Sequence, residues 1–167
     1  MKIKKLIIFS FLALFTLCTF AQNKFGYIDS SELLSLMPEK KKAEGELQTF
    51  AKSLESQLGA MQAEYQASVQ DYQANEATYD DLVKQDKISE ITNLEQRIQA
   101  FQQNAQNALQ KKEQELLEPI LAKARTAIED VAKEGKFTFI FDSSMGSILY
   151  ADENENVMLL VKKKLGL

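Results

Sequence analysis

Large apolar side chains recur every three or four positions through Leu47, Phe50, Leu54, Leu58, Met61, Tyr65, Val69 and Tyr72, with polar residues between them. That spacing places them on one stripe of an α-helix. The stripe repeats after eleven residues (Leu47/Leu58/Val69 and Phe50/Met61/Tyr72), a period that favours a straight or slightly right-handed path. A second stripe starts as heptads at Ile91, Leu94, Ile98, Phe101, Ala105 and Ala108. It then drifts through Leu109, Leu116, Ile120, Ala124, Ile128 and Val131. Over residues 39–134 only Gly45, Gly59 and Pro119 interrupt a run rich in Ala, Gln, Glu, Lys and Leu, the composition of long helices. One helix of that length would reach roughly 140 Å, so the run reverses. Asn75 can end a helix, and Thr78 with Asp81 makes a start signal. The reading is a helical hairpin that ascends from Glu39 to about Gln73, turns near 74–81 and descends from about Tyr79 to Glu134. Pro119 lies within the second stripe and should kink the helix without ending it. Each limb has one narrow apolar stripe and no second apolar face, so the hairpin protrudes as an arm.

The flanks read differently. Phe25-Gly26-Tyr27-Ile28-Asp29 is aromatic and β-branched, a strand pattern. Asp29 then suits an N-cap with Glu32 three residues on, opening a short helix over 30–37 that Pro38 closes. After the arm, Gly135 is a helix-ending glycine. Residues 137–142 read as a strand, 143–146 as a turn and 147–151 as a returning strand. A last short helix ends in Lys162, Lys163 and Lys164, where cations suit the helix dipole. The fold class is therefore mostly α with a small β body: residues 22–38 and 135–167 form the body, and 39–134 the antiparallel coiled-coil arm. Three short strands with aromatic faces make a poor closed core. Phe25, Tyr27, Phe139, Phe141 and Leu149 are the positions at which the body is expected to complete itself with copies of the same chain.

The first 21 residues stand apart from this pattern. Lys2, Lys4 and Lys5 precede an almost unbroken apolar run from Leu6 to Leu17, and Thr19-Phe20-Ala21 places small residues where a signal peptidase reads them. The run is too short for the roughly 30 Å of hydrocarbon that a stable anchor must cross. Cleavage after Ala21 is the expectation, giving an exported protein. Removing the three lysines takes the net charge from −4 to −7, and removing Cys18 leaves no thiol for a disulfide.

Composition excludes more chemistry than it supports. The chain has no His and no Trp, and Cys18 is its single cysteine. Neither a Ser/His/Asp or Cys/His catalytic pair nor a His or Cys metal cluster can form. The excess of 24 acidic over 20 basic residues argues against a nucleic-acid partner. No glycine-rich phosphate loop is present. Asp152-Glu153-Asn154-Glu155-Asn156 looks briefly like a calcium loop, but Val157 and Lys163 stand where Gly and Glu are required. The Asp80/Asp81 pair lacks the apolar surroundings that would split its two pKa values and reads as helix capping. Lys40-Lys41-Lys42 reads as a solvated face. No cofactor and no enzymatic activity are expected.

In order along the chain, several segments resemble the Skp/OmpH family of periplasmic chaperones. They are Phe25-Gly26-Tyr27-Ile28-Asp29, the Gln-rich coiled-coil hairpin and the Glu118-Pro119-Ile120 step. The stretch from Val131 through Gly135-Lys136-Phe137 to Asp142 follows, and then Ile148-Leu149-Tyr150-Ala151-Asp152 before a final helix. The resemblance implies a periplasmic homotrimer whose subunits build a joint β-barrel body carrying three arms around a cavity. It further implies that the protein holds unfolded outer-membrane β-barrel proteins soluble without ATP. The sequence departs from the family's basic members in being acidic, most of all over residues 71–95. Tyr65, Tyr72 and Tyr79, with Met61 as a flexible neighbour, have two readings: packing in the hairpin seam, or adaptable contacts to a client in the cavity. The alternative function, a structural coiled-coil spacer or assembly scaffold of the envelope, would need an anchor that the processed chain lacks.

Overall fold

A computed structural model describes residues 23–167; the expected signal peptide lies outside them. The element order is β1 (Phe25–Ile28), α1 (Ser30–Leu36), α2 (Pro38–Asn75), α3 (Asp81–Glu134), β2 (Phe139–Asp142), a 3-10 turn (Glu153–Glu155) and α4 (Met158–Leu165). Asp29 caps α1, its carboxylate accepting from the Glu32 N–H at 2.9 Å. Met37 is extended (φ −76°, ψ 123°), and Pro38 opens α2 at its first position, where the missing N–H costs no bond. The two long helices pack along their stripes. Helix α3 runs unbroken through Pro119, as the continuing stripe required.

The reversal is tighter than its sequence signal implied. Asn75 ends α2, and both the N–H and the hydroxyl of Thr78 donate to the Asn75 carbonyl, at 2.8 and 2.7 Å. Thr78 therefore closes the first helix and does not cap the second. Asp80 is the N-cap of α3, accepting from the Val83 N–H at 2.9 Å.

In the body, β1 and β2 pair in parallel, with Phe25 opposite Phe139 and Tyr27 opposite Phe141. The core beneath them comes from three parts of the chain: Ile28, Leu33 and Met37, then Ile120, Ala124, Ala127 and Val131 of α3, then Val157, Met158 and Val161. The last turns of the long helix thus belong to the body's core as well as to the arm.

The returning strand expected over 147–151 is not formed. The second edge of β1 is taken by the segment leading into α4, through a Tyr27–Asn156 bridge and a 3.0 Å bond from the Val157 N–H to the Tyr27 carbonyl. Residues 147–151 pair with neither strand, although the outer edge of β2 stays open among the described residues, and Leu149 is left 99% exposed. Strand β2 also starts later than expected, at Phe139, because Phe137 turns inward.

Phe137 explains the helix end. Its ring lies between Gly26 and Gly135: a Cβ at Gly135 would stand 2.5 Å from the ring, and one at Gly26 would stand 3.0 Å from it. Lys24 Nζ sits 4.0 Å above the ring centre and donates to the Gly135 carbonyl. Gly135 itself is right-handed (φ −82°), so close approach is what requires glycine there. The left-handed residue is Lys136 (φ 54°). Bonds from the Phe137 N–H to the Ala132 carbonyl and from the Lys136 N–H to the Lys133 carbonyl complete a Schellman ending around it.

One polar latch ties the two halves of the body. Asp142 accepts from the Ser30 hydroxyl (2.5 Å), the Ser30 N–H (3.2 Å) and the Ser144 N–H (2.9 Å). Partial burial pushes its carboxyl up, but these donors outweigh burial and bring it down to about 2.

Two outcomes follow from the helix end and the latch. Lys136→Gly relieves a left-handed lysine and should raise stability by about 1 kcal/mol in denaturant melts. Asp142 has a folded-state pKa below its unfolded one, so its stabilisation is present above about pH 4 and is lost as pH falls toward 2. Discounted for exposure, Asp142→Asn should cost about 1 kcal/mol at pH 7 and almost nothing near pH 2, measurable as converging melts of the two proteins in acid.

Candidate functional site

Two surfaces carry the residues singled out from sequence: the seam of the arm and the outer face of the sheet. Along the seam every stripe residue of α2 from Leu47 to Tyr72 is half-buried, and Leu94 of α3 is buried to 3% exposure. Two narrow stripes facing each other cover one side of each side chain and leave the rest to solvent.

Met61 and Tyr65 lie half-buried in this line. Tyr72 is held near the tip, its hydroxyl donating to Glu76 Oε1 at 3.4 Å; burial first, then the Glu76 charge, raises its pKa. Tyr79 lies in the reversal and donates to Asp71 Oδ2 at 3.2 Å. Asp71 is the joint of the tip, since it also meets Lys87 Nζ at 3.2 Å across the hairpin and accepts from Asn75 Nδ2 at 3.0 Å. The Lys87 and Tyr79 bonds, in that order, lower the Asp71 carboxyl, and Asp71 in turn raises Lys87. The four candidates are thus strung along one edge of the arm and do not converge on a pocket.

At the other end of the molecule three rings form a cluster. Phe25, Phe139 and Phe141 stand with each pair of centroids 6.1 Å apart, within the range of favourable aromatic pairing. Parallel register and strand alternation put them on one face together with Tyr27. The rings are 45–57% exposed, an unusual loss for three clustered phenylalanines. The 147–151 segment borders this face, and Leu149 and Tyr150 help line an open depression beside Phe25, Tyr27 and Phe141. The chemistry available here is apolar contact. Sequence reasoning does not single out the exposed Met145, Tyr150 and Leu159. The apolar run Ile148-Leu149-Tyr150 carries a signal for this surface, but the same run is also a strand pattern.

The remaining charged motifs resolve into local structure. Asp152 Oδ1 accepts from the Asn154 N–H at 2.9 Å, and Val157 is buried beneath that turn. Lys40 and Lys42 pair with Glu44 and Glu46 one helical turn on. Lys123 with Glu39 ties the limbs at the arm's base, and Lys164 ties α4 to Asp130 and Glu134. Among the described residues no group of acids is arranged to hold a metal ion, and no helix is long and apolar enough to cross a membrane.

The comparisons with known proteins agree with this layout. The family described as outer membrane protein (OmpH-like) matches residues 24–165. A crystal structure from Caulobacter crescentus CB15, described as that of an OmpH-like outer membrane chaperone, superposes with a TM-score of 0.76. It covers 87% of this chain and 85% of the other at 15% identity, a likeness of fold. No curated protein matches. With the two-stranded body, the unbroken helical hairpin and the family pattern all running from the first strand to the last helix, the chain belongs to the OmpH-like family.

Proposed function

We propose that this protein is a periplasmic holdase that keeps unfolded outer-membrane β-barrel proteins from aggregating, without ATP and without an enzymatic step. Membership of the OmpH-like family supports a chaperone of outer-membrane proteins in general. The observation that carries the finer reading is the exposed ring cluster Phe25/Phe139/Phe141 at the root of a long, coreless arm. A face of that kind calls for an apolar partner, and a second and third copy of the chain supply one in which every subunit is equivalent. Three copies joined there would project three arms around a shared cavity.

Helix α2 alone extends roughly 57 Å, long enough for arms to wall off a collapsed client. An unfolded barrel protein exposes alternating apolar strands, whose hazard is edge-to-edge association. Half-buried seam residues such as Met61, Tyr65 and Tyr72 offer many weak apolar contacts, and weak contacts release a client without a nucleotide cycle. The spacer reading gains no observation of its own. Aggregation of a denatured β-barrel membrane protein, followed by light scattering with and without this protein, tests the proposal directly. Unchanged aggregation at molar excess would end it.

Two variants test its parts. Phe139→Ser with Phe141→Ser removes apolar area worth about 1.5–3 kcal/mol per ring if the face is covered in an assembly. The mass measured by light scattering should then fall from trimer to monomer at micromolar concentration, whereas a wild-type chain that is already monomeric would remove the assembly. Replacing Met61, Tyr65 and Tyr72 together by Ser separates the readings of the stripe. Weakened client holding with intact helicity by circular dichroism marks client contacts; lost helicity marks seam packing.

A further inference from the structure

Three of the four large apolar side chains that the arm leaves most exposed lie at its tip: Leu82 at 76%, Ile88 at 50% and Val83 at 37%. The other, Leu121, lies near the base. At the tip level the half-buried, inward positions of α3 are Lys84, Lys87 and Ile91. Helical geometry puts Leu82 almost opposite them, on the outer side with Asp86 and Ser89. Leu82, Val83 and Asp86 help line an open depression there. Farther along, the same outer face carries Asn93, Gln96 and Asn107, so a leucine on it does nothing for the hairpin.

The surrounding charge is one-sided. Asp80, Asp81, Asp86 and Glu90 stand against Lys84 and Lys87. Lys87 is already engaged by Asp71 and Glu90, and Asp80 is occupied as the cap of α3. Asp81 and Asp86 have no ion pair or side-chain hydrogen bond among the described residues. Exposed apolar surface and unneutralised carboxylates therefore share one spot, at the end of the arm farthest from the body.

We propose that the arm tip is a docking surface for a basic, apolar segment of a partner polypeptide, with Leu82 and Val83 meeting its apolar side chains and Asp81 and Asp86 its lysines or arginines. Charge complementarity selects this occupant. An anionic lipid surface or an acidic polypeptide is repelled by the same carboxylates, and a second tip of this chain would bring like charge against like. The surface lies on the tip of the single chain and does not depend on client holding.

The test uses the full mature chain and a fluorescently labelled peptide of alternating leucine and lysine, with a leucine–glutamate peptide as its counterpart. Anisotropy should show binding of the first and not the second. Leu82→Ser with Val83→Ser should weaken binding about tenfold, and Asp81→Asn with Asp86→Asn should flatten its decline with added salt. Hydrogen exchange on the wild-type complex, which needs no variant to fold, should place the protection at residues 80–90. Equal binding of the glutamate peptide, unchanged affinity in the variants or protection elsewhere would overturn the proposal. A change in the mass of the free protein when the tip is altered would also overturn it, since the occupant would then be a second copy. Suppression of barrel-protein aggregation, measured on the same variants, reports on the holdase separately.

Discussion

Parallel pairing of Phe25–Ile28 with Phe139–Asp142 is the constraint on which the molecule is organised. Parallel neighbours cannot be joined by a tight turn; the chain must leave one strand's end and return to the other's beginning. Here the crossover is the whole arm, out along α2 and back along α3. Closing so long an excursion would carry a large entropic cost if it were loose. Two helices in continuous contact along their stripes convert it into a stiff excursion whose ends are already close together.

Several independent features hold the crossover shut at its root. The last turns of α3 contribute Ile120, Ala124, Ala127 and Val131 to the same core as Ile28, Leu33 and Val161, so the returning limb cannot detach without opening the body. Phe137, inserted between Gly26 and Gly135, sets the angle at which the chain leaves the helix for β2. The Asp142 carboxylate then joins the end of β2 to the start of α1 through Ser30. Apolar burial supplies most of the stabilisation, and the latch adds a polar tie between β2 and α1.

The same arrangement creates the surfaces that remain unsatisfied. Strand β1 is flanked by β2 on one side and by Asn156–Val157 on the other, while the three rings of the sheet's aromatic face stay about half exposed and residues 147–151 pair with no strand. At the opposite end, the hairpin needs only a narrow stripe to hold together, so the Leu82 side chain, on the far side of α3, is free of any internal duty. Root and tip thus present apolar surface of different kinds: uncharged rings at the body, and aliphatic side chains among carboxylates at the tip. A protein built this way has its exposed apolar regions about an arm's length apart, with a long polar shaft between them.

The sequence by itself determined the helices and their reversal, because periodicity is local. Leu47 to Tyr72 and Ile91 to Val131 define a stripe wherever the helix is placed, and Asn75, Asp29 and Pro38 act within a few residues of themselves. It also excluded chemistry that needs a His or a pair of Cys, since the chain has no His and the single Cys18. Only the tertiary structure decided how the edges of β1 are shared. Ser147 to Ala151 carries as good a strand pattern as β2, yet it pairs with no strand, and Asn156 takes the second edge of β1 instead. Tertiary structure likewise decided why Gly135 is glycine: the reason is the Phe137 ring lying against it, while the left-handed turn falls on Lys136. Thr78 is a local case by contrast: its hydroxyl reaches the Asn75 carbonyl three residues behind it, and Asp80 is left to cap α3. At the edge of β1 and around the Phe137 ring, packing between residues distant in sequence made the choice, and no local pattern can report it.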